Sequence, residues 1–162
     1  MKVLGLDLAT ITTGFCIMED GVIITRGDLS VNKDDVLESR IINMKKIIKD
    51  VALKYDVDYI IWEKEQGYVQ SNRLATAFAL CKMQGCLMSL ADDLGLSNIQ
   101  IPINKWRTSV GIKHNQKRPI LKQMAIDKVK ELFNVETTSD DEAEAILITY
   151  WFVNNYKNLI NL

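Results

Sequence analysis

VLGLDLATITTGFCIMEDGVIITR, residues 3–26, holds three short β-rich runs at 3–8, 14–18 and 22–26. A Thr-rich turn separates the first two, and the Asp20-Gly21 pair leads into the third. Asp-Gly between apolar runs is the signature of a tight hairpin turn. The stretch therefore predicts a three-strand antiparallel meander. Beyond it, residues 34–55 carry apolar side chains at Val36, Leu37, Ile41, Ile42, Met44, Ile47 and Ile48 and again at 51–53, close to helical spacing with lysines between. Asn32 or Lys33 precedes this predicted helix. Residues 57–62 form a nearly continuous apolar run of strand length, the pattern of a strand covered on both faces, and it ends on the acids Glu63 and Glu65.

A second helix is predicted over 71–94, stopped by Gly95, then a fifth strand at 99–103 and helices at 115–133 and 140–156. No Pro- or Gly-rich linker and no internal repeat interrupts this order, which predicts one α/β domain over residues 1–162. Crossovers of this length normally join parallel strands. The expected architecture is thus a five-stranded mixed sheet, three antiparallel N-terminal strands and two further parallel strands, with helices on both faces.

A chain of 162 residues that is 48% hydrophobic can bury one core without disulfides or structural metals. The apolar run at 145–153 is short for a bilayer span and contains Thr149, and the N-terminal MKVLGLDL lacks the basic and then long apolar pattern of a secretory signal. A cytoplasmic protein without a membrane partner is expected. Cys16, Cys81 and Cys86 are odd in number and lack the spacing of a zinc knuckle or redox pair, so they are expected as buried free thiols. A net charge of −1 and a pI near 5.9 argue against nucleic-acid binding over the whole surface. Binding of that kind would have to be local.

Asp7 is the one charged group in a long apolar stretch, and a charge there requires a partner, unless it merely caps the Thr10–Thr13 turn. Glu63 and Glu65 follow a buried strand and share the side of Ile61 if the strand continues, so at least one can point where Asp7 points; simple strand-end solvation is the alternative. Ser139 and Glu142 match the Ser-x-x-Glu capping box, and on that register Asp141 and Glu144 lie three apart on one helical face. Asp140 and Glu142 are then left to favour the helix N-terminus, which is also all that the whole cluster need do.

Strand-borne acids combined with a helix-borne pair make an oxygen-rich pocket suited to Mg²⁺ or Mn²⁺ rather than zinc. Two such ions about 4 Å apart serve phosphodiester hydrolysis. The single His114, read as a surface loop residue, excludes a two-histidine metal site, and no Gly-x-Ser-x-Gly or P-loop string is present. Between Asp93 and Asp127 there is no acid, while Lys105, Arg107, Lys113, Lys117, Arg118 and Lys122 accumulate into a local anion-binding segment. Trp106, Tyr68 and Asn72 can add stacking or polar contacts there, although Trp106 equally suits a core. The segment over 71–94, with Ala75, Ala77, Phe78, Met83, Gly85 and Leu87, has more apolar and small residues than one buried face needs, which makes it a candidate interface.

Gly5-Leu6-Asp7 leading to Thr13-Gly14, then residues 58–63 (DYIIWE), then residues 141–145 (DEAEA) resemble, in order and separation, the RuvC family of Holliday junction resolvases, particularly its short phage-type branch. The resemblance spans nearly the whole chain. It implies a ribonuclease-H-like fold, a homodimer, and paired Mg²⁺-dependent nicks that resolve four-way DNA junctions, with two ions per site and Mn²⁺ able to substitute. It assigns Asp7, Glu63, Asp141 and Glu144 as metal ligands, and through it Glu63 is preferred over Glu65. Lys117 resembles the basic residue that the family keeps near the scissile phosphate, Arg107 falls close to another, and Tyr68 falls near the aromatic used at the junction's centre. Glu144 stands where the family frequently has Asp. A ribonuclease-H-type nuclease cutting hybrids or flaps would use the same acids, and a branched-DNA binding protein would need no turnover. A sugar-kinase-like nucleotide binder would need a duplicated domain that this length does not hold.

Overall fold

The computed structural model describes residues 1–64, 74–112 and 115–159, the last three of these for their backbone alone. Strands β1 (Lys2–Asp7), β2 (Thr12–Glu19) and β3 (Val22–Ser30) form the antiparallel meander. Asp20 and Gly21 both take positive φ, 49° and 88°, as the Asp-Gly hairpin turn requires. Strands β4 (Tyr59–Lys64) and β5 (Ser97–Pro102) add in parallel on the other side of β1, giving the order β3-β2-β1-β4-β5. Asp58 pins the start of the β1–β4 pairing. Its carboxylate accepts the Lys2 N–H at 2.7 Å, and its own N–H donates to the Lys2 carbonyl at 2.9 Å. From that point the register carries Leu6 opposite Trp62.

Period-two alternation sorts the sheet into two cores. Leu4, Leu6, Ile60 and Trp62 pack under α1 (Leu37–Tyr55) and α2 (Leu74–Asp93), using Met44, Ile48, Met83 and Leu87. Val3, Ile61 and Ile101 pack under α3 (Ile103–Ser109), α4 (Arg118–Phe133) and α5 (Asp140–Leu159), using Trp106, Val129, Ile148 and Phe152. Helices thus lie on both faces. The same alternation puts Asp7, two beyond Gly5, and Glu63, two beyond Ile61, on the α5 side at neighbouring carboxyl ends of parallel strands.

Two glycines let α5 lie directly on the sheet. A β-carbon at Gly14 would collide with the main-chain carbonyl of Asp141 and the nitrogen of Glu142, and one at Gly5 would collide with the Thr149 side chain. The helix start is also tied to β3. The Ser139 hydroxyl donates to Asp28 at 2.8 Å while accepting the Glu142 N–H at 2.9 Å. Glu142, only 1% exposed, pairs with Arg26 and accepts the Thr138 N–H at 2.6 Å and hydroxyl at 2.8 Å. The capping box read from the sequence is present, with its glutamate reaching back to Thr138 rather than to Ser139.

Several expectations shift. Helix α1 starts at Leu37, after Val36 and not directly after Asn32 or Lys33, and α4 starts at Arg118 with Lys117 as its N-cap and Pro119 in its first turn. Helix α3 has no counterpart in the sequence reading, because seven residues make too few turns to establish a period. Cys16 is buried as expected, but Cys81 is exposed on α2 and Cys86 is half-buried at the edge of the core between α1 and α2. Of the α2 residues singled out as an interface, Ala77, Met83 and Leu87 are spent on the protein's own core, whereas Ala75, Phe78 and Gly85 are exposed, as are Leu74 and Met88 on the same helix. By length and composition α2 could cross a bilayer, yet it packs Met83, Leu87 and Leu90 into this core.

Candidate active site

A cleft of about 460 Å³ opens where β1, β4 and the first turns of α5 meet. Asp7, Glu63, Asp140, Asp141 and Glu144 line it together with Arg107, Gln116, Arg118 and Lys122. Asp7 comes from the end of β1, Glu63 from β4, and Asp141 and Glu144 from successive turns of α5. Gly14 is what brings the α5 pair close, because it lies beside Asp7 in the β1–β2 register and takes the Asp141 main chain on its bare Cα.

The alternative role for Asp7, capping the turn after β1, falls to another residue. The Thr13 hydroxyl accepts the Ala9 N–H at 3.2 Å and donates to the Ala9 carbonyl at 2.9 Å, closing that turn itself. The Asp7 carboxylate is left facing the cleft. Burial, followed by the charges of Glu144, Glu63 and Asp141, pushes its pKa well above the ordinary carboxylate range, against the pull of Arg107. Burial and the neighbouring Asp140 raise Asp141 to about 6. Glu144 is also raised, by burial first, with Arg107 opposing. Asp140 goes the other way: burial would raise it, but its hydrogen bond and ion pair with Lys122 hold it below the usual range.

Like charges crowded in this way cost free energy unless something positive enters. Part of the compensation is built in. Arg107 Nη2 donates to Glu144 Oε1 at 3.0 Å, and the Trp106 indole N–H donates to Glu63 Oε2 at 3.0 Å. Gln84, buried on α2, donates to the Glu63 carbonyl at 3.3 Å. With these contacts in place, no three acids among the described residues are gathered tightly enough to form a ready ligand cluster. They line one cleft from three elements.

The basic segment divides in two. Arg107 and Lys122 lie in the cleft and are ion-paired, with Glu144 and Asp140. Lys105, Lys117 and Arg118 are exposed, and Arg118 reaches the cleft lining. Trp106 is fully buried, so of its two sequence roles the core one holds. Glu65, Tyr68, Asn72, Lys113 and His114 lie outside the described residues. Sequence reasoning missed the hold of Trp106 on Glu63 and of Arg107 on Glu144, because both depend on α3; the adjacent Trp106-Arg107 pair beside a predicted strand was the available hint.

No family model matches the chain, and no curated protein matches it. Solved structures do. RuvC of Thermus thermophilus in complex with a Holliday junction substrate aligns with a TM-score of 0.77 at 12% identity, covering 98% of this chain and 96% of that one. The yeast mitochondrial Holliday junction resolvase aligns at 0.64 with 14% identity, over 98% and 82% of the two chains. The Fowlpox virus resolvase, in complex with Holliday junction DNA, aligns at 0.60 with 13% identity, over 99% of each. At such identities the likeness is one of fold, and the chain has the ribonuclease-H-like fold of these resolvases.

Proposed function

We propose that this chain is a divalent-cation-dependent DNA endonuclease that nicks four-way junctions and related branched DNA as a homodimer in the cytoplasm. The observation that carries the reading is the convergence of Asp7, Glu63, Asp141 and Glu144, from β1, β4 and α5, on one cleft of a resolvase-like fold. The donor set fits a hard cation. It is all oxygen, half-buried, and burdened by mutual repulsion that raises Asp7, Asp141 and Glu144. Those four carboxylates would hold two Mg²⁺ ions, with Mn²⁺ able to substitute. When bound, such ions activate water for attack on phosphorus and stabilise the leaving oxygen.

The chain's own residues supply the rest. The Trp106 indole N–H holds Glu63 Oε2 and so fixes the carboxylate at the cleft that Glu63 lines. Lys117 and Arg118, at the α4 start on the cleft's rim, with Lys105 beyond, bind the DNA backbone, while Lys122 keeps Asp140 occupied as its ion-pair partner. Lys113 and Tyr68 are assigned to the same DNA face from the sequence.

Dimerisation is supported by the outer surface of α1 and α2. On α2, Leu74, Phe78 and Met88 are exposed, Phe78 by 67%, and a groove between α1 and α2 mixes Ile41, Ile42 and Cys86 with the charged Glu38, Lys45 and Lys82. A four-way junction offers two equivalent strands, and a two-fold dimer places one cleft on each.

The test is cleavage of a four-way junction by wild type and Asp7→Asn, with Mg²⁺ or EDTA, beside an RNA–DNA hybrid and a flap. Mg²⁺-dependent paired nicks that vanish in Asp7→Asn are expected. Faster cutting of hybrids would favour the ribonuclease-H-type activity, junction binding without any cutting would favour a binding protein, and undiminished cutting by Asp7→Asn would remove Asp7 from the mechanism.

A further inference from the structure

Arg107 combines features that a purely structural ion pair does not need. Its Nη2 lies 3.0 Å from Glu144 Oε1, and the two side chains are 13% and 12% exposed. Its guanidinium carbon sits 5.0 Å from the centroid of the Trp106 ring. Its Nε is buried with no hydrogen-bond partner among the described residues. A guanidinium presents five donors in a rigid fork, and a buried donor left unmatched is costly. Arg107 is therefore held by the charge of Glu144 more than by a fully matched set of acceptors. It also lines the cleft itself, where an anionic substrate would meet it.

We propose that Arg107 is a resident counter-ion of Glu144, displaced when a divalent cation takes that carboxylate, and that the released guanidinium then turns to a phosphate of the DNA in the same cleft. This rests on the reading of the cleft as a cation-dependent nuclease site. One carboxylate oxygen cannot serve the guanidinium and a metal ion at full strength together, so the two compete for Glu144. The Trp106 face under the guanidinium is a platform over which it can pivot while keeping its stacking contact. Competition of this kind makes cation and DNA binding cooperative, because DNA that draws Arg107 away leaves Glu144 open, and by linkage a bound cation strengthens the hold on DNA by the same factor.

The experiment is Mn²⁺ binding to the metal-stripped full chain without DNA, read by calorimetry and by the free-Mn²⁺ resonance signal. Wild type, Arg107→Met, Arg107→Lys, Glu144→Gln and the double variant Arg107→Met/Glu144→Gln are compared. Arg107→Met is expected to bind Mn²⁺ about fivefold or more tightly than wild type, within the usual range of coupling between sites. Arg107→Lys, which keeps the charge, should stay near wild type, and the gain should vanish when Glu144 is already Gln. In EDTA, Arg107→Met should melt below wild type, with saturating Mn²⁺ closing the gap; if it does not fold, Arg107→Gln carries the same expectation. Mn²⁺ binding no tighter than wild type, or a gain that survives in Glu144→Gln, overturns the exchange. A wild type that takes up no Mn²⁺ overturns the metal-centre reading itself, so the two failures are told apart.

Discussion

Replacing Gly14 by Ala should damage both the fold and the site, and the structure sets the size of the effect. Alanine in place of glycine in a strand favours folding by about 0.5–1 kcal/mol, because the unfolded chain has less freedom to lose. Against this, the new methyl meets the Asp141 carbonyl and the Glu142 nitrogen, which are main-chain atoms with no rotamer to give way. Overpacking of that kind costs about 1–3 kcal/mol, and here the upper end applies because α5 must move as a body. The net loss is then about 2 kcal/mol, a fall in melting temperature of roughly 4–8 °C for a chain of this size. Moving α5 off the sheet also carries Asp141 and Glu144 away from Asp7, and a misplacement of about 1 Å can lower a rate by about 10²-fold. Thermal melts in EDTA and single-turnover junction cleavage measure the two effects. Gly5→Ala is the comparison: its obstacle is the Thr149 side chain, so Thr149→Ala should recover part of its loss, whereas no side-chain truncation can recover Gly14→Ala. A Gly14→Ala protein that melts and cuts like wild type would refute the claim that α5 rests on β2.

Asp141 supplies a pH test. Its folded value of about 6 lies above its unfolded value of 3.8, so the folded state favours the protonated form and the ionised group opposes folding at neutral pH. Without metal, Asp141→Asn should be more stable than wild type by about 1 kcal/mol near pH 8, after discounting for solvent, and the advantage should fade through pH 6 and be gone by about pH 4; equal gaps at both ends would contradict it. Lys117→Met should weaken binding to all DNA sequences alike and reduce the slope of log K against log salt by about 0.9; an unchanged slope would take Lys117 off the backbone. Phe78→Glu should convert a dimer to a monomer in sedimentation while leaving the fold intact, and a wild type already monomeric would refute the α1–α2 interface.

The order of strands and helices was legible because each long element declares its own period. The continuous apolar run before Glu63 announced a strand covered on both sides, and Asp20-Gly21 announced its hairpin. The acids were legible as candidates for a related reason: Asp7 is an isolated charge in apolar sequence, and Asp141 and Glu144 keep helical spacing behind a capping box. What could not be read was pairing across the fold. That Arg26 neutralises Glu142 and that Arg107 and Lys122 sit in ion pairs inside the cleft both depend on residues distant in sequence. A run of lysines and arginines looks like one surface until the acids facing it are known.

The Asp58 clasp on Lys2 has a consequence for how loss of activity would be seen. It fixes a parallel register in which odd-numbered β4 residues face α5 and even-numbered ones face α1 and α2. A slip by one position would send Glu63 into the layer that holds Trp62 and bring an indole to the cleft. No intermediate placement exists between those outcomes. A weakened clasp would therefore yield a mixture of fully competent and wholly inert molecules, and active-site titration would find fewer working copies, each turning over at the normal pace.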